Sequence, residues 1–457
     1  MRSNEELRPA DLLPALARLW PLSGAKIRAL EETWPDDAGA PVVTVGGRWT
    51  AREWTEWTLG FRYGSALLQF DATGDEECLA IGRRGTRAEM VPHLTHAGGH
   101  DHGFQTISTW GNLWRLIREG RLPDEHGERT LGELAIRVSG AVQARRWTRT
   151  AEGGGFIHSF NGPHSLFADT IRTLRVLALA HLFGHYLLEE HDECVSLLER
   201  LVAHAQATAT YSVYYGEGRD AWDVRGRVAH ESLFDPNDGR YRAPGTQQGY
   251  SPFSTWTRGL AWVILGCAEL LEFLPRLAEG ELVPCGGRES VAALLTRAAR
   301  ATADYYLANT AADGIPYWDT GAPGLARLEG WRERPADPEN GEEPVDASAA
   351  AIAAQGLLRL GQVLPGSAYG AAGLAVLRTL LAEPYLATSP AHQGLLRHCI
   401  YHRPNGWDHV PPGVRIPGGE ASMWGDYHLR EAALLVQRLA RGETYPTFCG
   451  PPAAGGS

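Results

Sequence analysis

The chain has 457 residues, 44% of them apolar and 21% charged, with a formal net charge of −11. Such a composition is globular, and the length allows one large domain or two to three average ones. The acidic balance excludes nucleic acid as an expected partner, because phosphate binding needs a basic surface. An anionic small substrate requires local cations or helix N-termini to overcome the global sign.

Six cysteines stand singly at 78, 194, 267, 285, 399 and 449, with no CxxC pair. That usage reads as reduced thiols, not a disulfide framework or a zinc ribbon. The first twenty residues are acidic and then amphipathic, without a basic segment leading into an apolar one. No run of eighteen apolar residues occurs, so no membrane span and no membrane partner are expected, and the cytoplasm is the expected location.

Helical periodicity dominates the chain in order. Leu12, Leu13, Leu16 and Leu19 share one face of a first helix. Residues 50–70 follow, with Trp54, Trp57 and Phe61 roughly one turn apart, stopping at DATGD. Further helices are predicted over 130–147, 165–188, 190–205, 254–273, 288–311, 346–364, 367–381 and 421–441, separated by Gly- and Pro-rich turns. This rhythm fits a closed ring of antiparallel helix pairs, but equally a bundle or a solenoid. Residues 211–241 alternate and contain DPNDG, which predicts a β-hairpin. Residues 321–344 read as a long loop, and a tail from Gly450 as frayed.

Six stretches could carry chemistry. In 95–104, THAGGHDHGF, glycines at 98, 99 and 103 permit close backbone approach around His100 and Asp101. With His93, the histidines at 96, 100 and 102 could ligate a metal, although the spacing lacks a helical HxxxH pair with a partner carboxylate. Asp169 opens an apolar helix, where it is either a cap or a carboxylate whose pKa is raised by neighbours such as Phe167. His230 lies on the expected hairpin. Residues 246–262, TQQGYSPFSTWTRGLAW, combine Gln248, Trp256 and Arg258. They suit a pocket wall, or a buried helix start whose Arg is paired internally. Asp346 is the expected N-cap of a small-residue helix, and Asp426 caps a helix or braces the pocket.

Together these segments resemble glycoside hydrolase family 88, the unsaturated glucuronyl hydrolases, and more distantly the family 105 unsaturated rhamnogalacturonyl hydrolases. The resemblance rests on WTLGFRYG from Trp57, GHDHGF, FADT, the passage from His230 through FDPNDG to TQQGY, STWTRGLAW, DGIPYWD, DASAAAIAA and residues 424–435, in the family's order. It implies an all-α fold, an (α/α)6 barrel with long connecting loops and a small β-hairpin. One catalytic domain would span 1–449, with a flexible tail over 450–457. It implies no cofactor and no metal.

The implied substrate is an oligosaccharide, derived from a glycosaminoglycan or another polyuronide, whose non-reducing end is a 4,5-unsaturated uronic acid. The implied reaction is hydration of its vinyl ether. Asp169 would be the acid and base, and Asp101 the second carboxylate. Gln248 and Arg258 would hold hydroxyls or the uronate, Trp57 and Trp256 would stack, His230 would make a polar contact, and His100 would orient Asp101. A rhamnogalacturonyl substrate and a non-catalytic saccharide-binding barrel are the alternatives. Departures from the family's pattern occur at Thr173, Arg175, Pro252, Phe253 and Leu260.

Overall fold

The computed structural model describes residues 7–451 apart from 36, 54, 55 and 126. Among the described residues, twelve helices follow one another. They are α1 (Leu13–Thr33), α2 (Leu59–Thr73), α3 (Glu76–Ala88), α4 (102–118, with a π-helical stretch at Ile107–Gly111) and α5 (Glu128–Arg145). After these come α6 (Leu174–Leu182), α7 (Leu197–Ala207), α8 (Thr257–Phe273), α9 (Arg288–Ala308), α10 (Ala347–Val363), α11 (Tyr369–Leu380) and α12 (Met423–Ala440).

Even-numbered helices contact one another in sequence, and α12 packs back on α2, which closes the ring. Each odd-numbered helix packs on an even-numbered helix adjacent to it in sequence and forms the outer layer. This is the (α/α)6 barrel. Side-chain chemistry sorts the two layers. Residues 347–360 of α10 and 423–438 of α12 are all buried, as is nearly all of α8. Helices apolar all round must be enclosed, whereas α3 carries charge on one face only. Small residues let the inner helices close up: a Cβ on Gly356 would lie 2.9 Å from the backbone nitrogen of Leu265.

Several boundaries differ from expectation. The helix expected over 50–70 starts at Leu59; a strand, Arg48–Ala51, and a 3-10 turn, Glu56–Thr58, precede it, and Trp54 lies outside the described residues. The segment 165–188 opens as strand β1 (Ser165–Phe167) and a 3-10 turn (Ala168–Thr173) before α6. The helix expected from 190 begins at Leu197. Helices α3 and α4 are additional to those expected. The hairpin is confined to β2 (Glu231–Phe234) and β3 (Tyr241–Gly245), and β1 joins it in an antiparallel sheet of order β1-β2-β3. Of the expected tail, Gly450 and Pro451 are held through their carbonyls by Arg276, and the rest lies outside the described residues.

Candidate active site

A cavity of about 290 Å³ opens at the end of the ring where the inner helices begin. That volume sits at the low end of small-molecule sites. Trp57 precedes α2, Asp101 is the N-cap residue of α4, Asp169 leads into α6, and Trp256 and Arg258 stand at the start of α8. The positive ends of several helix dipoles therefore face one cavity. This local field opposes the net charge of −11.

The three-stranded sheet places the central carboxylate. The backbone N–H of Ala168 donates to the carbonyl of His230 at 2.9 Å, so Asp169 and His230 emerge side by side. Asp169 Oδ2 lies 3.2 Å from His100 Nε2, and Asp169 Oδ1 lies 3.7 Å from His230 Nε2. His100 Nε2 is also 4.0 Å from Asp101 Oδ1. His100 thus stands between the two carboxylates and is nearer Asp169 than Asp101, the residue it was expected to orient. The hydroxyl of Thr173 donates to the His100 carbonyl at 2.7 Å and accepts the Gly103 N–H at 2.8 Å. Gly103 is required there, because a Cβ would fall 2.3 Å from the Thr173 Cα.

The electrostatics correct one expectation. Burial does push the Asp169 carboxyl upward, but the hydrogen bond and charge of His100 outweigh it and hold its pKa below the usual value. The reciprocal holds for His100: burial disfavours its charge, yet Asp101 and Asp169 raise its pKa above that of an ordinary imidazole. The proton of this pair therefore sits on His100 in the ligand-free protein. His230 differs. Burial takes its pKa down to about 3, so it is neutral. Three buried atoms make no hydrogen bond within the protein: Asp169 Oδ1, His230 Nε2 and His100 Nδ1. Unsatisfied buried polar atoms are costly and mark places where function is expected.

The wall is aromatic. Trp57 stacks on Trp424 at 5.2 Å, and Trp256, itself buried, packs on His230 at 4.5 Å. The side-chain oxygen of Gln248 accepts an N–H of Arg258 at 2.6 Å, leaving its amide nitrogen as the group it can offer a ligand. Arg258 lines the cavity but is 2% exposed. Its guanidinium pairs with Asp346 at 3.2 Å and donates to the carbonyls of Ile400 and Tyr401. The internally paired reading describes it better than a substrate contact. Asp346 caps α10 through the N–H groups of Ser348 and Ala349. Asp426 braces a loop, accepting the N–H groups of Leu395 and Leu396.

Sequence reasoning missed one wall. Tyr401, His402, Asn405 and Trp407 line the cavity from the connection between α11 and α12, and Phe160 lines it beside His100. Asp408 fixes the first of these by accepting the N–H groups of Tyr401 and His402. The signal was available, since so long a connection is uncommon unless functional. The four histidines weighed as metal ligands do not converge. His102 spends its ring nitrogens on Ser139 Oγ at 2.6 Å and the His96 carbonyl at 2.8 Å. Among the described residues no group of three or more His, Cys, Asp or Glu is arranged to hold a metal ion.

No family model matches the chain. Curated relatives do. An unsaturated glucuronyl hydrolase of Bacillus sp. (strain GL1) is 28% identical over 400 residues, covering 86% of this chain and 89% of the relative. An unsaturated chondroitin disaccharide hydrolase of Streptococcus pyogenes serotype M1 is 24% identical over 421 residues, covering 90% and 88%. The crystal structure of the Bacillus sp. GL1 enzyme, described as responsible for the degradation of glycosaminoglycan, superposes with a TM-score of 0.69 at 23% identity, over 95% of this chain and 98% of that one. Over more than four fifths of its length the chain is therefore similar to unsaturated glucuronyl hydrolases, and it shares their fold. The relatives' names describe glycoside hydrolases, and the chain carries Asp101 and Asp169 at inner-helix starts of the barrel.

Proposed function

We propose that the chain releases the 4,5-unsaturated uronic acid from the non-reducing end of lyase-generated oligosaccharides. The observation that carries this reading is the Asp101–His100–Asp169 constellation facing an aromatic cavity. The converging helix starts support an anionic ligand there, because their partial positive charge favours a carboxylate. The relatives' names support glycosaminoglycan-derived unsaturated disaccharides as the substrate class.

The chemistry follows from a vinyl ether, which is protonated on carbon and therefore slowly. A positioned acid contributes roughly 10²–10⁴-fold to such a step. The proton held by His100 and Asp169 goes to C4 through Asp169. Positive charge develops on C5 and the ring oxygen, and Asp101 and the Asp169 carboxylate stabilise it. Water adds at C5 and returns its proton to Asp169. The C5 hemiketal opens to a ketone, and the hemiacetal left at C1 expels the remaining saccharide. Each cycle consumes one water and regenerates the protonated pair. His230 directs its Nε2–H at Asp169 or at the substrate, Gln248 offers its amide nitrogen, and Trp57 and Trp256 shape the sugar site. All six cysteines are free, which supports a reducing compartment such as the cytoplasm.

The test is the ultraviolet absorbance of the conjugated double bond. Unsaturated disaccharides from hyaluronan, chondroitin and heparin should lose it when the protein is added. Loss with pectin-derived fragments alone would move the reading to rhamnogalacturonyl substrates, and calorimetric binding without turnover would make the chain a binding protein.

A further inference from the structure

A short excursion of the cavity wall carries an aromatic surface that the reaction does not use. Gln248 and Trp256 both line the cavity, and the segment between them does not. On it, Tyr250 is 52% and Phe253 44% exposed. Phe253 stacks on Trp222, 51% exposed, with centroids 5.2 Å apart and planes 25° from parallel.

Trp222 belongs to a loop, 214–227, that is firmly built. The carboxylate of Asp223 accepts the N–H groups of Gly216, Glu217 and Arg219 at 2.8–2.9 Å. Arg227 donates to the carbonyls of Trp222, Pro252 and Ser254 at 2.9, 3.1 and 3.3 Å and lies 3.8 Å over the Tyr214 ring. One buried guanidinium thus ties the loop to the cavity wall, and its Nη2 has no partner. The loop's charges cancel, with Glu217, Asp220 and Asp223 against Arg219, Arg225 and Arg227. The platform is therefore rigid, aromatic and locally neutral.

We propose that Trp222 and Phe253 form an outer subsite that stacks the sugar units beyond the first one on the reducing-end side of the cleaved linkage. The inference rests on the proposed hydrolysis. The sugar residue that reacts is terminal, so the rest of the oligosaccharide leaves through the mouth of the cavity. A pyranose presents an apolar C–H face that covers an aromatic ring without needing charge. Exposed large aromatics beside a binding cavity are the expected signature of such a surface.

The experiment compares unsaturated hyaluronan di- and tetrasaccharide with the full chain and with Trp222→Ala/Phe253→Ala, following absorbance loss. Both changes are at exposed positions, and an unchanged thermal midpoint confirms folding. The tetrasaccharide kcat/KM should fall about fivefold or more through KM, the size of one stacking contact, with the disaccharide within about twofold. Equal effects on both substrates, or none on either, overturn the subsite. So does a change in sedimentation of the variant, which would make the platform a contact between copies. If the wild type turns over neither substrate, the proposed hydrolysis fails, and calorimetry of the tetrasaccharide still decides the platform: weakened binding by the variant retains it, and equal binding removes it.

Discussion

His230 presents a fixed hydrogen to Asp169. Its Nδ1 accepts the N–H groups of Gln247 and Gln248 at 3.0 and 3.3 Å, so the one proton of the neutral ring is on Nε2, 3.7 Å from Asp169 Oδ1. The gap is longer than a hydrogen bond and leaves both atoms unsatisfied. A substrate atom or a reacting water to one side of the pair can hydrogen-bond to both. His230→Phe keeps the ring packing on Phe167 and Trp256 but removes the donor. It should lower kcat by about 10²-fold while moving the thermal midpoint little. Steady-state kinetics and thermal melting of this variant check both halves.

The His100–Asp169 pair sets the pH behaviour. Because His100 is raised, the pair keeps its proton past pH 6.5, and activity should fall as the pH rises through the raised value. The same shift contributes stability that is complete below about pH 6.5 and is lost as the pH passes the folded value. The lowered Asp169 works in the opposite direction: its contribution is present above about pH 4 and is lost as the pH falls through its depressed value. In His100→Gln the alkaline limb of kcat/KM should move to lower pH or vanish. A pH–rate profile unchanged in that variant would remove His100 from the proton store.

Arg258 is an anchor. Its ion pair with Asp346 is buried, at 2% and 0% side-chain exposure, so truncating one partner strands the other charge. Arg258→Ala should cost about 3–5 kcal/mol in urea unfolding and should raise KM, since Gln248 and the Tyr401 backbone lose their tether. A large KM effect with unchanged stability would instead make Arg258 a direct substrate contact.

Gly103 tests the close approach of two inner helix starts. Gly103→Ala drives a Cβ into the Thr173 backbone, where no side chain can swing aside. The change should cost about 1–3 kcal/mol and lower kcat by displacing His100 from Asp169. Thermal melting and kinetics on the same preparation report the two effects.

The reaction class was legible because it rests on local motifs: Asp101 between glycines, Asp169 ahead of an apolar helix, and the run around Trp256. What the sequence concealed is long-range. Gly82 and Gly85 sit inside α3, where Leu67 and Tyr63 press against them, and a Cβ on Gly85 would meet the Tyr63 ring at 2.0 Å. Gly103 and Gly111 likewise lie within α4. The start of 165–188 looked helical because its residues are apolar, but β1 is claimed by pairing with β2, over sixty residues away. The direction of the Asp169 shift was misjudged for a similar reason. Phe167 is adjacent in sequence and visible, whereas His100 reaches Asp169 only through the fold. The wall from Tyr401 to Trp407 has no motif, only length and aromatic content.

The central claim is that Asp169 delivers the proton that begins hydration of a 4,5-unsaturated uronic acid. The direct measurement is the rate of absorbance loss for an unsaturated glycosaminoglycan disaccharide with the native chain and with Asp169→Asn. The account predicts turnover by the native chain and a loss of at least about 10³-fold in the variant, with the fold intact by circular dichroism. Full activity in Asp169→Asn, or no absorbance loss with any unsaturated disaccharide, would contradict it.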